Sequence, residues 1–345
     1  MKNLLTSAWR RSAIAGIALG IMAAGTVAQA ADVVNLGALR FTSHSAGYIA
    51  YEKGYFKEEG IDLKFKFFQA AQPVAVAIAS GDVDFGVTAL TGGFFNLAGK
   101  GALQVIGGVW HEEKGMAGSA ILVSNKAYDA GFTTVDQFPG KSIGITQLGS
   151  SFHYMAGQIA EAKGFDFSEI KLKPLQKVGA IIGALKSGQI DSFIIAPHIA
   201  KGLVNAGAAK QIGWLYDYAP YQVTTVFTST KNTEEKSDLV RRFMKAYGRG
   251  VDDFRRVMLD QEKDPAATEA MTKLIHKYVY ASRPYEKAAP SIKSGAINLN
   301  PGNSLNVGDV DKQLKWFQAQ KLVSSGFSAR DIVDVRFAQA YNLPN

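Results

Sequence analysis

The chain has 345 residues, 47% of them hydrophobic and 20% charged, with a net charge of +8 and no cysteine. The lack of cysteine excludes a disulfide-stapled scaffold, a thiol nucleophile, a thiolate metal site and an iron–sulfur cluster. The positive charge is modest, falls to +5 without Lys2, Arg10 and Arg11, and is interspersed with acids (Glu52, Lys53, Lys57, Glu58, Glu59), which describes a solvated surface rather than a nucleic-acid groove.

The chain opens on an export address. Lys2, Arg10 and Arg11 make a basic start, Ala13 to Ala24 an apolar stretch, and Ala28-Gln29-Ala30 a small-residue cleavage site. Cleavage after Ala30 leaves an exported, soluble protein of 315 residues, enough for two domains. The apolar stretch is too short to span a bilayer. The Arg10-Arg11 pair leaves twin-arginine export open beside the general secretory route.

Val33 to Leu39 reads as a first core strand that ends in the polar loop Arg40-Phe41-Thr42-Ser43-His44-Ser45. Thr42, Ser43 and Ser45 are candidate N-caps for a helix carrying Tyr48, Tyr51, Tyr55 and Phe56 and ending at Gly60. Ile61 to Phe67 alternates apolar and polar residues, as a strand with one buried face does. A helix, a strand, a Gly-rich helix and the strand Ala102 to Trp110 follow. This β-α-β order predicts a mainly parallel sheet. Ser119 to Asn125 is expected to leave that sheet. Strands at Ser142 to Thr146 and Ile170 to Leu175 then build a second one, and Val223 to Thr228 is the return crossing. The expected division is residues 1–30 as the leader, 31–123 with 224–345 as a discontinuous first lobe, and 124–223 as the second. Two crossings, near Ser124 and Val223, would form the hinge. Helices are expected from Glu234 onward, including Thr268 to Tyr280, Val310 to Leu322 and Ser328 to Tyr341, the last opening on a Ser328/Asp331 capping box.

One stretch occurs twice. Ala79-Ser80-Gly81-Asp82-Val83-Asp84-Phe85-Gly86 is echoed 107 positions later by Lys186-Ser187-Gly188-Gln189-Ile190-Asp191-Ser192-Phe193. Each copy ends a helix on a glycine, suited to the left-handed conformation, and enters an apolar strand that runs into a loop, Ala89-Leu90-Thr91-Gly92 or Ala196-Pro197-His198. Two copies at domain-sized spacing predict two similar α/β lobes. In open α/β sheets ligands sit beyond the carboxyl ends of the strands.

Several enzymatic signatures fail. Gly140-Lys141-Ser142 lacks the earlier glycine of a phosphate loop, since Val135 stands there, and no dinucleotide fingerprint, nucleophile elbow or His-Glu-x-x-His pair is present. Gly149-Ser150-Ser151, between a strand and a helix, offers backbone N–H groups and hydroxyls at a positive helix end, suited either to a carboxylate, sulfonate or nitrate or to plain capping. Four of the five histidines, His44, His111, His153 and His198, fall at or just after strand ends. With Phe41, Trp110, Phe152 and Tyr221 they predict a cleft of flat side chains for a planar or partly apolar ligand. A metal or metal-chelate site is the competing reading of the histidines, although their spacing is not that of a paired-ligand motif. No cofactor is implied.

Ala50 to Leu63 (AYEKGYFKEEGIDL), Ala77 to Gly86, the Phe138-Pro139-Gly140-Lys141-Ser142-Ile143-Gly144-Ile145 turn and strand, and Ala184 to Phe193 together resemble the periplasmic solute-binding proteins of ABC importers, in their sulfonate, nitrate, taurine and thiamine-pyrimidine-precursor branch. The resemblance runs through most of the chain after the leader, up to about Thr230. It implies a type II periplasmic-binding-protein fold, two α/β lobes about a hinge of two crossing segments. Such a protein would be a monomer in the periplasm that captures a small organic anion or planar heterocycle by lobe closure and delivers it to the importer's inner-membrane permease, without catalysis. Carried over by position, the implied contacts lie in Arg40 to Ser45, Ala89-Leu90-Thr91, Trp110-His111, Gly149-Ser150-Ser151-Phe152 and Ala196-Pro197-His198. The alternative on the same fold is an enzyme resembling the fungal pyrimidine synthases, whose cysteine-rich motif has no counterpart here.

Overall fold

The computed structural model describes residues 30–344. The leader, with Lys2, Arg10, Arg11 and all but the last residue of the cleavage site, lies outside the described residues. Among the described residues no helix is long and apolar enough to cross a membrane.

The first sheet holds β1 (Asp32–Ala38), β2 (Ile61–Phe67), β3 (Phe85–Ala89), β4 (Leu103–His111) and, from far along the chain, β10 (Gln222–Ser229). The second holds β5 (Ala120–Val123), β6 (Ser142–Ile145), β7 (Lys171–Pro174), β8 (Ser192–Ile195) and β9 (Lys210–Trp214). Their orders are β2-β1-β3-β10-β4 and β7-β6-β8-β5-β9, the same plan twice. In each sheet one strand runs against the rest, β10 between β3 and β4 and β5 between β8 and β9. The strand Ser119 to Asn125 therefore does more than exit the first sheet, because its core is the reversed strand of the second.

The helices that follow strands are α1 (Ser45–Glu52), α2 (Tyr55–Glu58), α3 (Gln72–Ala79) and α4 (Gly92–Gly99) on the first sheet. On the second they are α5 (Asn125–Asp129), α6 (Ser151–Lys163), α7 (Val178–Lys186) and α8 (Pro197–Asn205). The expected helix from the Thr42 region to Gly60 is split in two, because Gly54 takes a left-handed φ of 78° and restarts the chain as α2. Neither Thr42, Ser43 nor Ser45 caps α1 by its side chain; a 3-10 turn over Thr42–His44 leads into it instead.

The chain returns through α9 (Thr230–Glu235) to α10 (Ser237–Met258), which lies along α1, and continues in α11 (Pro265–His276), α12 (Tyr285–Ser294) and α13 (Val307–Ala319). This tail touches both sheets' helices. α12 packs on α8, while α13 packs on α4 and α6. The helix expected over Ser328 to Tyr341 is one turn, Ala329–Ile332; its capping box forms as expected, but Val333 turns extended and bridges to Val105 of β4.

Both copies of the repeat are built alike. Gly81 and Gly188 have φ of 85° and 69°. Asp84 Oδ2 accepts the Asn35 N–H at 2.8 Å and Asp191 Oδ2 accepts the Ser142 N–H at 2.7 Å, so each acid ties the entry of the third strand to the first. Helix and strand can approach because Gly37 and Gly144 carry no side chain; an added Cβ would stand 2.9 Å from Val74 and 2.4 Å from Ile181. Every one of these pairs is 107 positions apart.

Gly250 lets α10 lie on α1, where a Cβ would fall 2.1 Å from the Ala46 carbonyl oxygen. Gly250→Ala must push α1 off its seat, and we expect a loss of about 1–3 kcal/mol in denaturant unfolding. Unfolding at the wild-type midpoint would refute the packing.

Candidate functional site

At the carboxyl ends of the two sheets lies a cavity of about 50 Å³. Its walls come in equivalent pairs from the two copies of the repeat: Leu39 and Thr146, His44 and Ser151, Ala71 and Val178, Thr88 and Ile195, Ala89 and Ala196. Phe41, Ser43, Ala70, Trp110, Ser119, Phe152, Met155, Val223 and Thr224 complete the lining. The chain turns from strand to helix at most of these positions, so the first turns of α1, α3, α6, α7 and α8 all stand at the cavity. The positive ends of these helix dipoles give it a positive lean without a formal charge.

None of the lining residues is Lys, Arg, Asp or Glu. Arg40, one of the expected contacts, turns away; its guanidinium lies 3.8 Å over the Phe67 ring and donates to the Tyr278 carbonyl at 3.0 Å. Of the expected contacts, Phe41, Ser43, His44, Ala89, Trp110, Ser151, Phe152 and Ala196 reach the cavity. The others stand one layer back. Thr42 bridges His198 Nδ1 at 3.0 Å and the Gly295 carbonyl at 3.2 Å. Leu90 is in the core, and Thr91 caps α4 by accepting from the Phe94 N–H. Ser150 caps α6 by accepting from the His153 N–H, Pro197 opens α8, and Tyr221 packs 5.1 Å from Tyr154.

The four histidines do not converge. His111 Nε2 pairs with Asp309 of α13 at 2.8 Å. His153 Nδ1 accepts the Gly149 N–H at 3.0 Å, and its ring lies against Phe167 and Trp316. His198 is buried edge-on to Phe41, its Nε2 without a partner. Only His44 lines the cavity. Burial, with little hydrogen bonding to a charged form, pushes His44 and His198 down to about 3 and His153 to about 4, so all three rings are neutral at ordinary pH. Among the described residues no group of three or more His, Asp or Glu side chains is placed to hold a metal ion, which leaves the metal reading of the histidines without a coordination site there.

The sheets also meet beside the cavity. Gly92 N–H donates to Gly149 O at 2.8 Å, and Gln147 hydrogen bonds to Gln72. Gly149, at φ 79°, is where the backbone turns to present that carbonyl. Behind the cavity, where the chain passes between sheets, Glu112 is fully buried. Its Oε1 accepts the Ser119 N–H at 2.7 Å and its Oε2 has no partner. Burial drives its carboxyl up to about 7, against the pull of the Ser119 hydrogen bonds and of His111.

The lining residues not singled out in the sequence are mostly small or aliphatic: Leu39, Ala70, Ala71, Thr88, Thr146, Met155, Val178, Ile195, Val223 and Thr224, with the buried Ser119. A signal for several of them was present. The 107-residue offset maps His44 onto Ser151 and Ala71 onto Val178, and extending it beyond the repeated stretch finds the paired walls.

A profile described as NMT1/THI5-like matches residues 41–256. A Bacillus subtilis (strain 168) protein named for binding aliphatic sulfonates is 26% identical over 209 residues, 59% of this chain, and the chain spans about 60% of that relative's length. Among solved structures, the alkanesulfonate-binding protein SsuA of Xanthomonas axonopodis pv. citri, bound to MOPS, superposes with a TM-score of 0.70 at 17% identity, over 88% of this chain and 98% of that one. The periplasmic aliphatic sulphonate-binding protein SsuA of Escherichia coli gives 0.67 at 16%, over 87% and 97%. These likenesses establish a two-sheet α/β fold of the periplasmic-binding-protein type.

Linkage fixes the sign of two pH effects. Folded Glu112 keeps its proton up to about pH 7 while the unfolded chain releases it in the ordinary carboxyl range, so its contribution to stability is full in acid and is lost as pH rises to about 7. The neutral histidines act the other way, with stability lost as pH falls from the ordinary imidazole range towards about 4 and 3. Glu112→Gln removes only the first effect. Its melting temperature should gain on wild type progressively from about pH 5 to about pH 7 and hold that gain above; a gap that does not vary with pH would mean that Glu112 titrates as an ordinary carboxyl.

Proposed function

Because the chain belongs to the NMT1/THI5-like family, we propose that it is an extracytoplasmic solute-binding receptor of an ABC importer. In this reading it captures a small organic ligand between two lobes, one on each sheet, and delivers it as a monomer to a permease in the inner membrane; because β5 (Ala120–Val123) belongs to the second sheet and β10 begins at Gln222, the lobes divide at 112–119 and 215–221 rather than at the expected 123 and 223. The observation that carries it is the cavity between two like sheets, walled from equivalent positions of both and free of charged side chains. Such a wall suits an organic body held by ring faces, with a polar head on hydroxyls and helix N-termini. The names of the sulfonate-binding relatives support the same class.

The chemistry of the lining supports binding rather than catalysis. Its one titratable side chain, His44, is held neutral by burial, and no cysteine exists in the chain to act as a nucleophile.

Lobe movement is part of the proposal. About 50 Å³ is less than benzene needs, for which roughly 150 Å³ suffices. Entry of a ligand therefore requires the sheets to separate, and the contacts that would part first are Gly92 to Gly149 and Gln72 to Gln147. The two crossing segments, residues 112–119 and 215–221, would flex as the hinge, tied to each other by the Glu112 N–H to Tyr221 carbonyl bond at 2.8 Å.

A thermal-shift screen of the mature protein against short sulfonates, nitrate, pyrimidines, aromatic carboxylates and divalent metals tests the reading. One organic class at 100 times its dissociation constant should add about 2.7 kcal/mol to stability; a shift from metals alone, or none at all, would overturn it. The two serines divide the work. Ser150→Ala should cost about 1 kcal/mol of stability as a lost cap while leaving affinity within a few fold, whereas Ser151→Val should weaken binding with little change in melting temperature. The reverse pattern would move the ligand contact to Ser150.

A further inference from the structure

The orientation of one ring sets the polarity of the cavity. His44 Nδ1 lies 2.8 Å from the Leu39 backbone N–H. An amide N–H can only donate, so Nδ1 must carry the lone pair and the proton of the neutral ring must sit on Nε2. The ring cannot turn over without leaving that N–H buried and unpaired. The loop behind it is fixed as well: Tyr48 OH donates to the Leu39 carbonyl at 2.6 Å, and the Phe41 N–H donates to the same oxygen at 2.8 Å. The hydrogen bond that holds the ring runs through Nδ1, which leaves Nε2–H for the cavity that the ring lines.

Besides the Trp110 indole N–H, a donor on the same sheet, the other polar side chains in the lining, Ser43, Thr88, Ser119, Thr146, Ser151 and Thr224, are hydroxyls that rotate and can donate or accept. They adapt to a ligand. His44 does not. The equivalent position on the second sheet is Ser151, so the fixed donor belongs to the first sheet alone and makes the cavity chemically lopsided.

We propose that His44 Nε2–H is the contact that determines specificity, selecting a planar, largely apolar molecule that presents a hydrogen-bond acceptor and enters neutral or with a single negative charge. This rests on the receptor reading above. The uncharged lining supplies the rest of the argument. A monoanion can be held by fixed N–H dipoles at the helix starts, but a doubly charged ion would be stripped of water with no counter-charge to meet it. A zwitterion would need an acid for its ammonium group, and none lines the cavity. Phe41, Trp110 and Phe152 offer ring faces to an aromatic body.

Two substitutions separate what His44 does for the ligand from what it does for the loop. His44→Asn keeps an acceptor near Nδ1 for the Leu39 N–H and removes the donor at Nε2. His44→Gln places an amide N–H near Nε2 and gives up the Nδ1 acceptor. Each is titrated calorimetrically with arenesulfonates and arenecarboxylates, their neutral amides, the parent arenes without an acceptor, and sulfate, nitrate and taurine. Wild type should bind acceptor-bearing arenes and ignore sulfate, nitrate and taurine. H44N should lose at least tenfold on those arenes at an unchanged melting temperature, and H44Q should keep their affinity within a few fold. Equal binding by wild type and H44N overturns the role of His44 alone, as does a wild-type 15N spectrum with the His44 proton on Nδ1. Tightest binding of sulfate, nitrate or taurine overturns the ligand class. Failure of every probe on wild type overturns the receptor reading and this inference with it.

Discussion

A half-buried carboxylate on a backbone N–H, used twice, sets the frame on which everything else rests. Asp84 fastens the entry of β3 to Asn35 in β1, and Asp191 fastens the entry of β8 to Ser142 at the start of β6. A charge-assisted hydrogen bond of this kind is worth about 1.5–3 kcal/mol, and it also fixes register. With the starts of first and third strands aligned, their ends are aligned too. The glycines before each tie, Gly81 and Gly188, end the preceding helix so that the acid arrives at the right place. Gly37 and Gly144 allow that helix to lie close against the first strand.

Because the frame is repeated, so is the cavity wall. The positions just beyond the aligned strand ends are the ones that meet between the sheets, and they do so in pairs such as His44 with Ser151 and Ala89 with Ala196. A common backbone thus makes a shared site, and the side chains then make its two halves unlike. Leu39 is the counterpart of Thr146, and Thr88 of Ile195, so polar and apolar character alternates from one half to the other. The reversed strands β5 and β10 carry the chain between sheets directly behind this wall. The lobe movement proposed for ligand entry would therefore act on the same short segments that lie behind the cavity, where Glu112 is buried.

The tail holds this arrangement from outside. Trp316 of α13 fills the space left by Gly157 of α6, whose missing Cβ would lie 2.1 Å from the indole, and it stacks its edges against His153 and Tyr154. Gly295, after α12, sits against the backbone of His198. Asp309 holds His111. Three of the four strand-end histidines are thereby packed or paired with aromatic and tail groups, and one is left to face the cavity. A helix extension that touches both sheets limits how far they can part, since its contacts with α4 and α6 must slide or break as they do.

The sequence by itself determined the repeat, the strand and helix order up to the return crossing, and most of the loops that border the cavity. These follow from local rules that need no partner: apolar periodicity, a left-handed glycine, and an acid at a strand entry. It did not determine which side of each loop faces inward. Arg40 and Phe41 are neighbours, yet one turns out over Phe67 to the Tyr278 carbonyl and the other turns in, because the partner that draws Arg40 outward lies more than two hundred residues away. Ser150 and Ser151 divide in the same manner, the first committed to the N–H of its own helix and the second left to the cavity. The tail was least legible. The helix expected from Ser328 to Tyr341 stops after one turn where Val333 bridges to Val105 of β4, and a contact with another strand overrides local helical pattern. Tertiary structure alone decided that the cavity is uncharged and that one histidine, with its proton on a known nitrogen, faces into it, since both depend on groups brought together only by folding.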